Sequence, residues 1–370
     1  MELTKEIINF NSLNSYLAMF PLDVPLNFIE KYTNEDDIVM DNFTGRGTTL
    51  FASRLLNRKF VGNDLNPYAY VISKSKASQI HKIDLINRVN ELETIFNNKI
   101  HQYQNPVEKD LQSIYHFKTY NQLLFFKNEL GKNYLALDDI DISVLSFLLS
   151  IMQGKAKKDK SSSYLSVDMV NTISMTPNYI SKYVKENNLE IRYYDVFKLL
   201  KDRINNRYID LDKRNDLTIK YHNSLKELNF VKDKSVKLVF TSPPYLNMVD
   251  YANSNWIRLW LLGFKRDELK EKIKLDDRHN FNNYCLFIAN YLNNIYDKLQ
   301  EDAIVCLVVG DAKGRKLAIE TWKVIKENVN YELIKITNQS VEDNKKVLKI
   351  LDRKAGSTKT DRILILKKKI

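Results

Sequence analysis

Two hydrophobic periods alternate along the chain. Short, mostly apolar runs at residues 36–41, 59–63, 217–221, 236–240 and 303–310 are each bounded by glycine, proline, Asn or Asp, the signature of strands buried in an α/β sheet. Between them apolar residues recur at three- and four-residue steps over 24–29, 50–56, 253–262, 281–299 and 321–328, and a short helix is expected to end near Leu228. Pro21 and Pro25 are read as fixing the loop before the first of these helices. Residues 331–337 and 362–366 read as a closing hairpin with a lysine-rich excursion between its strands. Trp256, Leu259, Trp260 and Leu262 share one helical face, expected to pack on the sheet.

From residue 73 to about 215 the pattern is helical instead. Ile86, Val89, Leu92, Phe96 and Ile100 form one stripe, and residues 142–152 are apolar around much of the circumference. The block also carries Tyr115, Phe117, Tyr120, Phe125 and Phe126, read as mainly core. It divides the α/β pattern, so one domain is expected from residues 1–79 and 216–370, with a helical insertion over 80–215. No internal repeat is visible.

Composition narrows the partners. Hydrophobic residues make up 44% of the chain, enough for a packed core, while a net charge of +11 spread over many lysines favours a polyanion, nucleic acid first. A basic stretch with Lys155, Lys157, Lys158 and Lys160 leads into three serines and is suited to phosphate contact, although such a run is more often a solvated surface. Cys285 and Cys306 stand in apolar surroundings without metal-site spacing and are expected as buried, reduced thiols; no metal site is expected. The apolar stretches are too short to span a bilayer and no signal-peptide pattern is seen, so a cytoplasmic location without membrane contact is expected.

Chemistry concentrates at strand ends. The first strand ends at Asp41 and enters Asn42-Phe43-Thr44-Gly45-Arg46-Gly47-Thr48-Thr49, a glycine turn opening a helix, whose backbone N–H groups can hold an anionic group. Thr48 stands where a Walker loop needs lysine, and Leu50 where a dinucleotide fingerprint needs its third glycine. Asp64 closes the second strand, placed to bind ribose hydroxyls; the competing role is a helix N-cap before Pro67. The fourth strand runs into Thr241-Ser242-Pro243-Pro244-Tyr245. The prolines stop the strand and stiffen the turn, so the Ser242 hydroxyl and Pro243 carbonyl can accept the two hydrogens of an exocyclic amine while Tyr245 stacks on its ring. The plainer reading of these five residues is a strand-terminating turn with a packed tyrosine.

The glycine turn and the TSPPY segment together resemble the amino-methylating DNA methyltransferases, which methylate the N4 amine of cytosine or the N6 amine of adenine with S-adenosylmethionine. Phe20-Pro21 resembles that family's N-terminal cofactor motif, Gly62-Asn63-Asp64-Leu65-Asn66-Pro67 its ribose-binding motif, and Val308-Val309-Gly310-Asp311 a later strand end. The likeness spans roughly residues 1–76 and 217–369. It implies an α/β, Rossmann-like, seven-stranded methyltransferase sheet, mostly parallel with a final antiparallel hairpin, and a mainly helical insertion for target recognition. It also implies cofactor contacts from Phe20, Asp41, Phe43, Gly45, Gly47, Thr48, Thr49, Asp64, Leu65, Asn223 and Ser224, and catalysis by Ser242, Pro243, Pro244 and Tyr245. Departures are Asn42 for the usual proline, Arg46 for a small residue, and Asn223 where an aspartate often meets the cofactor's adenine.

The expected reaction is direct attack of the amine on the sulfonium methyl, with the base flipped out of double-stranded DNA. No cysteine lies near TSPPY, which disfavours carbon methylation. In the resembling family a serine before the two prolines goes with cytosine-N4, and Asp or Asn with adenine-N6. Cytosine-N4 is therefore the expected target and adenine-N6 the alternative. Host protection beside a cognate restriction endonuclease is the usual role. An RNA or protein-amide methyltransferase and a silent DNA-binding subunit are the competing readings.

Overall fold

A computed structural model describes residues 2–17, 19–156, 162–211, 216–244, 250–273, 275, 279–311, 314–340 and 360–369. The chain divides into two compact units, residues 18–73, 214–250 and 275–370 forming one, and 1–17, 74–213 and 251–274 the other.

The first unit is built on a seven-stranded sheet: β1 (Ile38–Asp41), β2 (Lys59–Asp64), β3 (Leu217–Tyr221), β4 (Val236–Thr241), β5 (Leu299–Gly310), β6 (Tyr331–Ser340) and β7 (Thr360–Lys368). Their order is β3-β2-β1-β4-β5-β7-β6. Pairings from β3 to β5 are parallel, and β7 runs antiparallel between β5 and β6. The expected Rossmann-like α/β fold with its final antiparallel pair is therefore observed.

Alternation along the strands divides the core. Met40, Val61, Val239, Val305, Leu307, Val309, Leu364 and Leu366 pack with the helices Phe281–Ile295 and Leu317–Ile325. The neighbouring positions Val39, Phe60, Leu238 and Phe240 are as fully buried, and the helices Asp23–Tyr32 and Thr48–Leu55 cover that side, reaching β4, β1 and β2. Burial on both faces is why these strands read as continuous apolar runs.

Several readings of the pattern need correction. Pro25 does not sit in a loop: it occupies the first turn of the helix Asp23–Tyr32, where a missing N–H costs no hydrogen bond. The expected helix ending at Leu228 is absent, replaced by separate turns closed by Lys226 N–H to Asn223 O and Val231 N–H to Leu228 O. The helix expected over 281–299 ends as an α-helix at Ile295, and Leu299 already belongs to β5. A further helix, Lys5–Asn11, capped by Thr4, was not anticipated.

The second unit is helical. Its long helices are Lys82–Asn98, Phe117–Glu129, Asp139–Ile151, Pro177–Glu186 and Val196–Arg207. Every residue from Ile142 to Ile151 is buried, and Phe96, Phe125, Phe126 and Phe197 interlock with centroid separations of 5.1–6.2 Å. Phe117 departs from the expected core role, being 54% exposed. Trp256–Leu261 also belongs to this unit, not to the sheet as expected. Trp260 lies 5.7 Å from Tyr120, under the Lys127 ammonium, and donates its indole N–H to Glu108. Among the described residues no helix is long and apolar enough to cross a membrane.

Candidate active site

The strand order reverses between β1 and β4: the chain proceeds outward from β1 to β2 and β3, then returns to build β4 and β5 on the other side. At such a switch point the connections diverge from the carboxyl edge and leave a crevice where ligands bind. The glycine turn leaves β1 and the Ser242-Pro243-Pro244 segment leaves β4, so the two sequence motifs lie on adjacent strands at this point.

Gly45 and Gly47 have φ of 49° and 74°, left-handed conformations that an L side chain would strain, and Gly47 is the N-cap of the helix Thr48–Leu55. Asp64, partly buried at the end of β2, accepts the Gly45 N–H at 2.8 Å through Oδ2 and the Asn66 N–H at 2.8 Å through Oδ1. It therefore ties the glycine turn to the next strand and leaves a lone pair on each oxygen for hydroxyl donors. The competing capping role falls to another residue: Asn66 Oδ1 accepts the Tyr68 N–H at 3.0 Å at the head of the helix Pro67–Ala77. Burial, with the nearby Asp41 charge adding to it, pushes the Asp64 carboxyl up to about 7 against the backbone donors that pull it down.

Asp41 itself is buried. Its Oδ1 accepts from the Thr241 hydroxyl at 2.5 Å and the Phe43 N–H at 3.0 Å, and desolvation raises it to about 6. Thr49 donates to the Phe240 carbonyl at 3.2 Å. These bonds fasten the end of β1 and the first turn of its helix to the end of β4, holding the two motifs in fixed register. Thr48 is buried beside them, Phe43 packs on Phe287 and Tyr291, and Phe20 meets Phe240 edge to face at 5.4 Å. Leu65 follows β2 and is partly buried.

On the β3 side, Asn223 Oδ1 accepts the Leu225 N–H at 2.8 Å, which leaves its amide N–H groups for other acceptors. Ser224 donates to the Asn42 carbonyl at 2.6 Å and accepts from Asn63 Nδ2 at 3.1 Å. Asn63 also accepts the Asn42 side-chain amide at 2.7 Å, and Tyr291 donates to Asn42 Oδ1 at 2.9 Å. This buried network links the ends of β1, β2 and β3 to the helix Phe281–Ile295. It explains why Asn42 can stand where a proline is usual: its side chain is a structural connector. Asn63 was read from the sequence only as part of the ribose-binding motif, not as a connector, and Tyr291 was not singled out. Gly62, beside it, has no room for a side chain, since a Cβ would lie 2.5 Å from the Asp41 carbonyl.

Ser242, partly buried, donates its hydroxyl hydrogen to the Val308 carbonyl of β5 at 3.1 Å. Its only proton is thereby committed, and the remaining lone pairs can act only as acceptors. Pro243 is buried and Pro244 partly so; Tyr245 lies outside the described residues. Asp311, just beyond β5, is clamped by Arg362 of β7 at 2.8–3.1 Å. Lys155 is exposed in the helical unit, and Lys157, Lys158 and Lys160 lie outside the described residues. Cys285 and Cys306 are buried free thiols, and burial raises both pKa values.

The donor set suits S-adenosylmethionine. Backbone N–H groups of a glycine turn suit its carboxylate, Asp64 suits its ribose hydroxyls, and two carboxyls at one edge suit a ligand with sulfonium and ammonium charges. The comparisons agree. A family model described as DNA methylase, of the N6/N4 type, matches residues 4–75. The type II methyltransferase M.MjaII of Methanocaldococcus jannaschii is 21% identical over 85% of this chain and 73% of its own length. M.BsoBI of Geobacillus stearothermophilus is 22% identical over 91% of this chain and 67% of its own. M.HindIII of Haemophilus influenzae reaches 39% over a shorter stretch, 16% of this chain and 20% of its own.

Proposed function

We propose that the chain is an amino-methylating DNA methyltransferase that uses S-adenosylmethionine and acts on the N4 amine of a cytosine flipped out of duplex DNA, a reading that the family-model match and the type II relatives support. The observation that carries this reading is the Ser242 to Val308 hydrogen bond, which turns the serine into an obligate acceptor at the strand end where an exocyclic amine would be received. An amine has two hydrogens and a lone pair delocalised into its ring. With one hydrogen accepted by Ser242 Oγ and the other by the Pro243 carbonyl, the nitrogen is drawn toward a tetrahedral geometry that frees the lone pair. The same acceptors stabilise the positive charge it gains.

When bound, S-adenosylmethionine supplies an electrophilic methyl on a sulfonium. The amine would take this methyl, its N–C bond forming as the S–C bond breaks and one proton passing to water, so the chain would need to supply acceptors for the amine and no nucleophile. Phe20, Phe43, the glycine turn, Thr48, Thr49, Asp64, Leu65, Asn223 and Ser224 form the proposed cofactor cradle, with Asp41 bracing it from beneath. Tyr245 is assigned the stacking role by its place in the motif. The helical unit is the proposed target-recognition region. The type II names of the relatives support a modification role beside a restriction endonuclease.

The test is to incubate the purified protein with S-adenosylmethionine and unmethylated genomic DNA, digest to nucleosides and identify the product by mass. N4-methylcytosine is expected. N6-methyladenine would refute the choice of base while leaving the site in place, and a methylated ribonucleoside obtained only with RNA would refute the substrate.

A further inference from the structure

The helical unit contains a cleft of about 630 Å³ that the methyl-transfer site does not use. It is lined by the strap Ser174-Met175-Thr176, by Tyr179, by Asn253, Ser254 and Trp256, and by Arg266, Asp267 and Lys270. The strap is held from several sides. Ser174 N–H bonds the Ser254 carbonyl at 2.7 Å, the Ser174 hydroxyl bonds the buried Gln153 at 2.7 Å, and the Trp256 indole N–H bonds the Met175 carbonyl at 2.8 Å. A wall fixed in this way is preorganised for a ligand.

Its chemistry is that of a nucleotide site. Tyr179 keeps 51% of its surface exposed, on a helix where it lies nearly parallel to Tyr183 with ring planes 7° apart. Trp256 is buried at the cleft wall, with the Arg266 guanidinium 5.9 Å from its ring centroid. Arg266 and Lys270 put two cations on the rim against the one carboxylate of Asp267. Arg266 is partly matched by Asp110 at 3.7 Å, whereas Lys270 has no ion pair among the described residues. An exposed ring beside a cation with no ion pair of its own, here Lys270, is how proteins hold an unstacked base with its phosphate. The segment 253–256 also follows closely after TSPPY in the chain, so this wall is covalently near the catalytic turn.

We propose that this cleft binds one nucleotide of the DNA substrate, its base against Tyr179 and its phosphate at Lys270 and Arg266. The inference rests on the DNA-methylating reading above and extends it to a contact in the helical unit. It predicts two separable effects, because a phosphate contact is screened by salt and a stacking contact is not.

The experiment compares the full-length wild-type protein with Lys270→Gln, Tyr179→Ala and, as an off-cleft control on the same helix, Lys182→Gln. Fluorescence anisotropy would follow binding of a labelled mixed-sequence DNA duplex over a range of salt. Lys270→Gln is expected to lower affinity and reduce the log–log salt slope by about 1. Tyr179→Ala is expected to weaken binding about fivefold or more with the slope unchanged. Both should retain wild-type S-adenosylmethionine binding, and Lys182→Gln should match wild type in all respects. If both cleft variants bind DNA with wild-type affinity and slope, the cleft proposal is overturned while the methyltransferase reading stands. If the wild type itself neither binds nor methylates DNA, both fall together.

Discussion

Asp64 offers a test in which stability and function move in opposite directions. Its carboxyl is raised from 3.8 to about 7 by burial and by Asp41, against two backbone N–H donors that favour the charge. A group that holds its proton to higher pH when folded stabilises the fold at low pH, and that contribution is lost as pH rises from about 4 to above 7. At 1.4 kcal/mol per pH unit the loss is roughly 4 kcal/mol. Asp64→Asn removes the charge and keeps one acceptor for Gly45 N–H, but it sets an NH2 against the Asn66 N–H, a mismatch worth about 1–2 kcal/mol. The variant is therefore expected to be more stable than wild type by about 2 kcal/mol at pH 8, about equal to it at pH 5 and less stable by about 1 kcal/mol at pH 4, measured by urea denaturation at the three values. Over the same range wild-type affinity for S-adenosylmethionine, followed by calorimetry, should fall as pH drops below about 7, because the proton would occupy an oxygen proposed to receive the ribose hydroxyls. A second, weaker inflection near 6 would come from Asp41. In Asp64→Asn the affinity is expected to be low throughout and the inflection near 7 gone. Destabilisation of the variant at pH 8, or an unchanged binding profile, would refute the assignment.

Three further outcomes follow from single contacts. Ser242→Ala removes an acceptor aimed at developing charge and should lower kcat about 10²–10³-fold with little change in cofactor affinity; a comparable loss of S-adenosylmethionine binding would mean that the serine acts on the cofactor instead. Asn63→Leu strands the Asn42 amide and its partners in a buried network and should cost about 2–4 kcal/mol in thermal or urea unfolding, whereas a melting curve like that of wild type would show that the network relaxes without it. Arg362→Met leaves the Asp311 carboxylate without its bidentate partner and should cost about 1–3 kcal/mol, a loss that Asp311→Asn in the same chain is expected to recover in part.

The sheet was legible because burial on both faces writes a period-free apolar run, and the two site motifs were legible because turns need particular residues. Glycine at 45 and 47 is demanded by positive φ, and the prolines at 243 and 244 by the end of a strand. What failed did so for local reasons. The segment before Leu228 has helical spacing but closes only separate turns, and Pro25 was mistaken for a loop residue because a proline in a first turn reads the same way. The Trp256–Leu261 face is apolar enough to cover a sheet, but apolar spacing does not say which partner it covers; the Lys127 ammonium over Trp260 and the Glu108 carboxylate on its indole N–H belong to the helical unit.

The site shows the same division at finer scale. Which residues gather at the carboxyl edge follows from where the strands end, but their hydrogen-bond partners come from elements remote in sequence. Ser242 meets a carbonyl 66 positions away and Asp41 a hydroxyl 200 away. Those partners decide the chemistry. A serine hydroxyl can donate or accept, and an amine at a nucleobase needs an acceptor, so the motif alone leaves the residue's role open. The Val308 carbonyl takes the hydroxyl proton and removes that freedom. An aspartate at the same position would accept with both oxygens and need no such partner. On the proposed reading the β5 carbonyl allows a neutral serine to serve here, and a variant with Asp at 242 would leave the Val308 carbonyl facing a carboxylate, a repulsion that predicts impaired methylation of any base by Ser242→Asp.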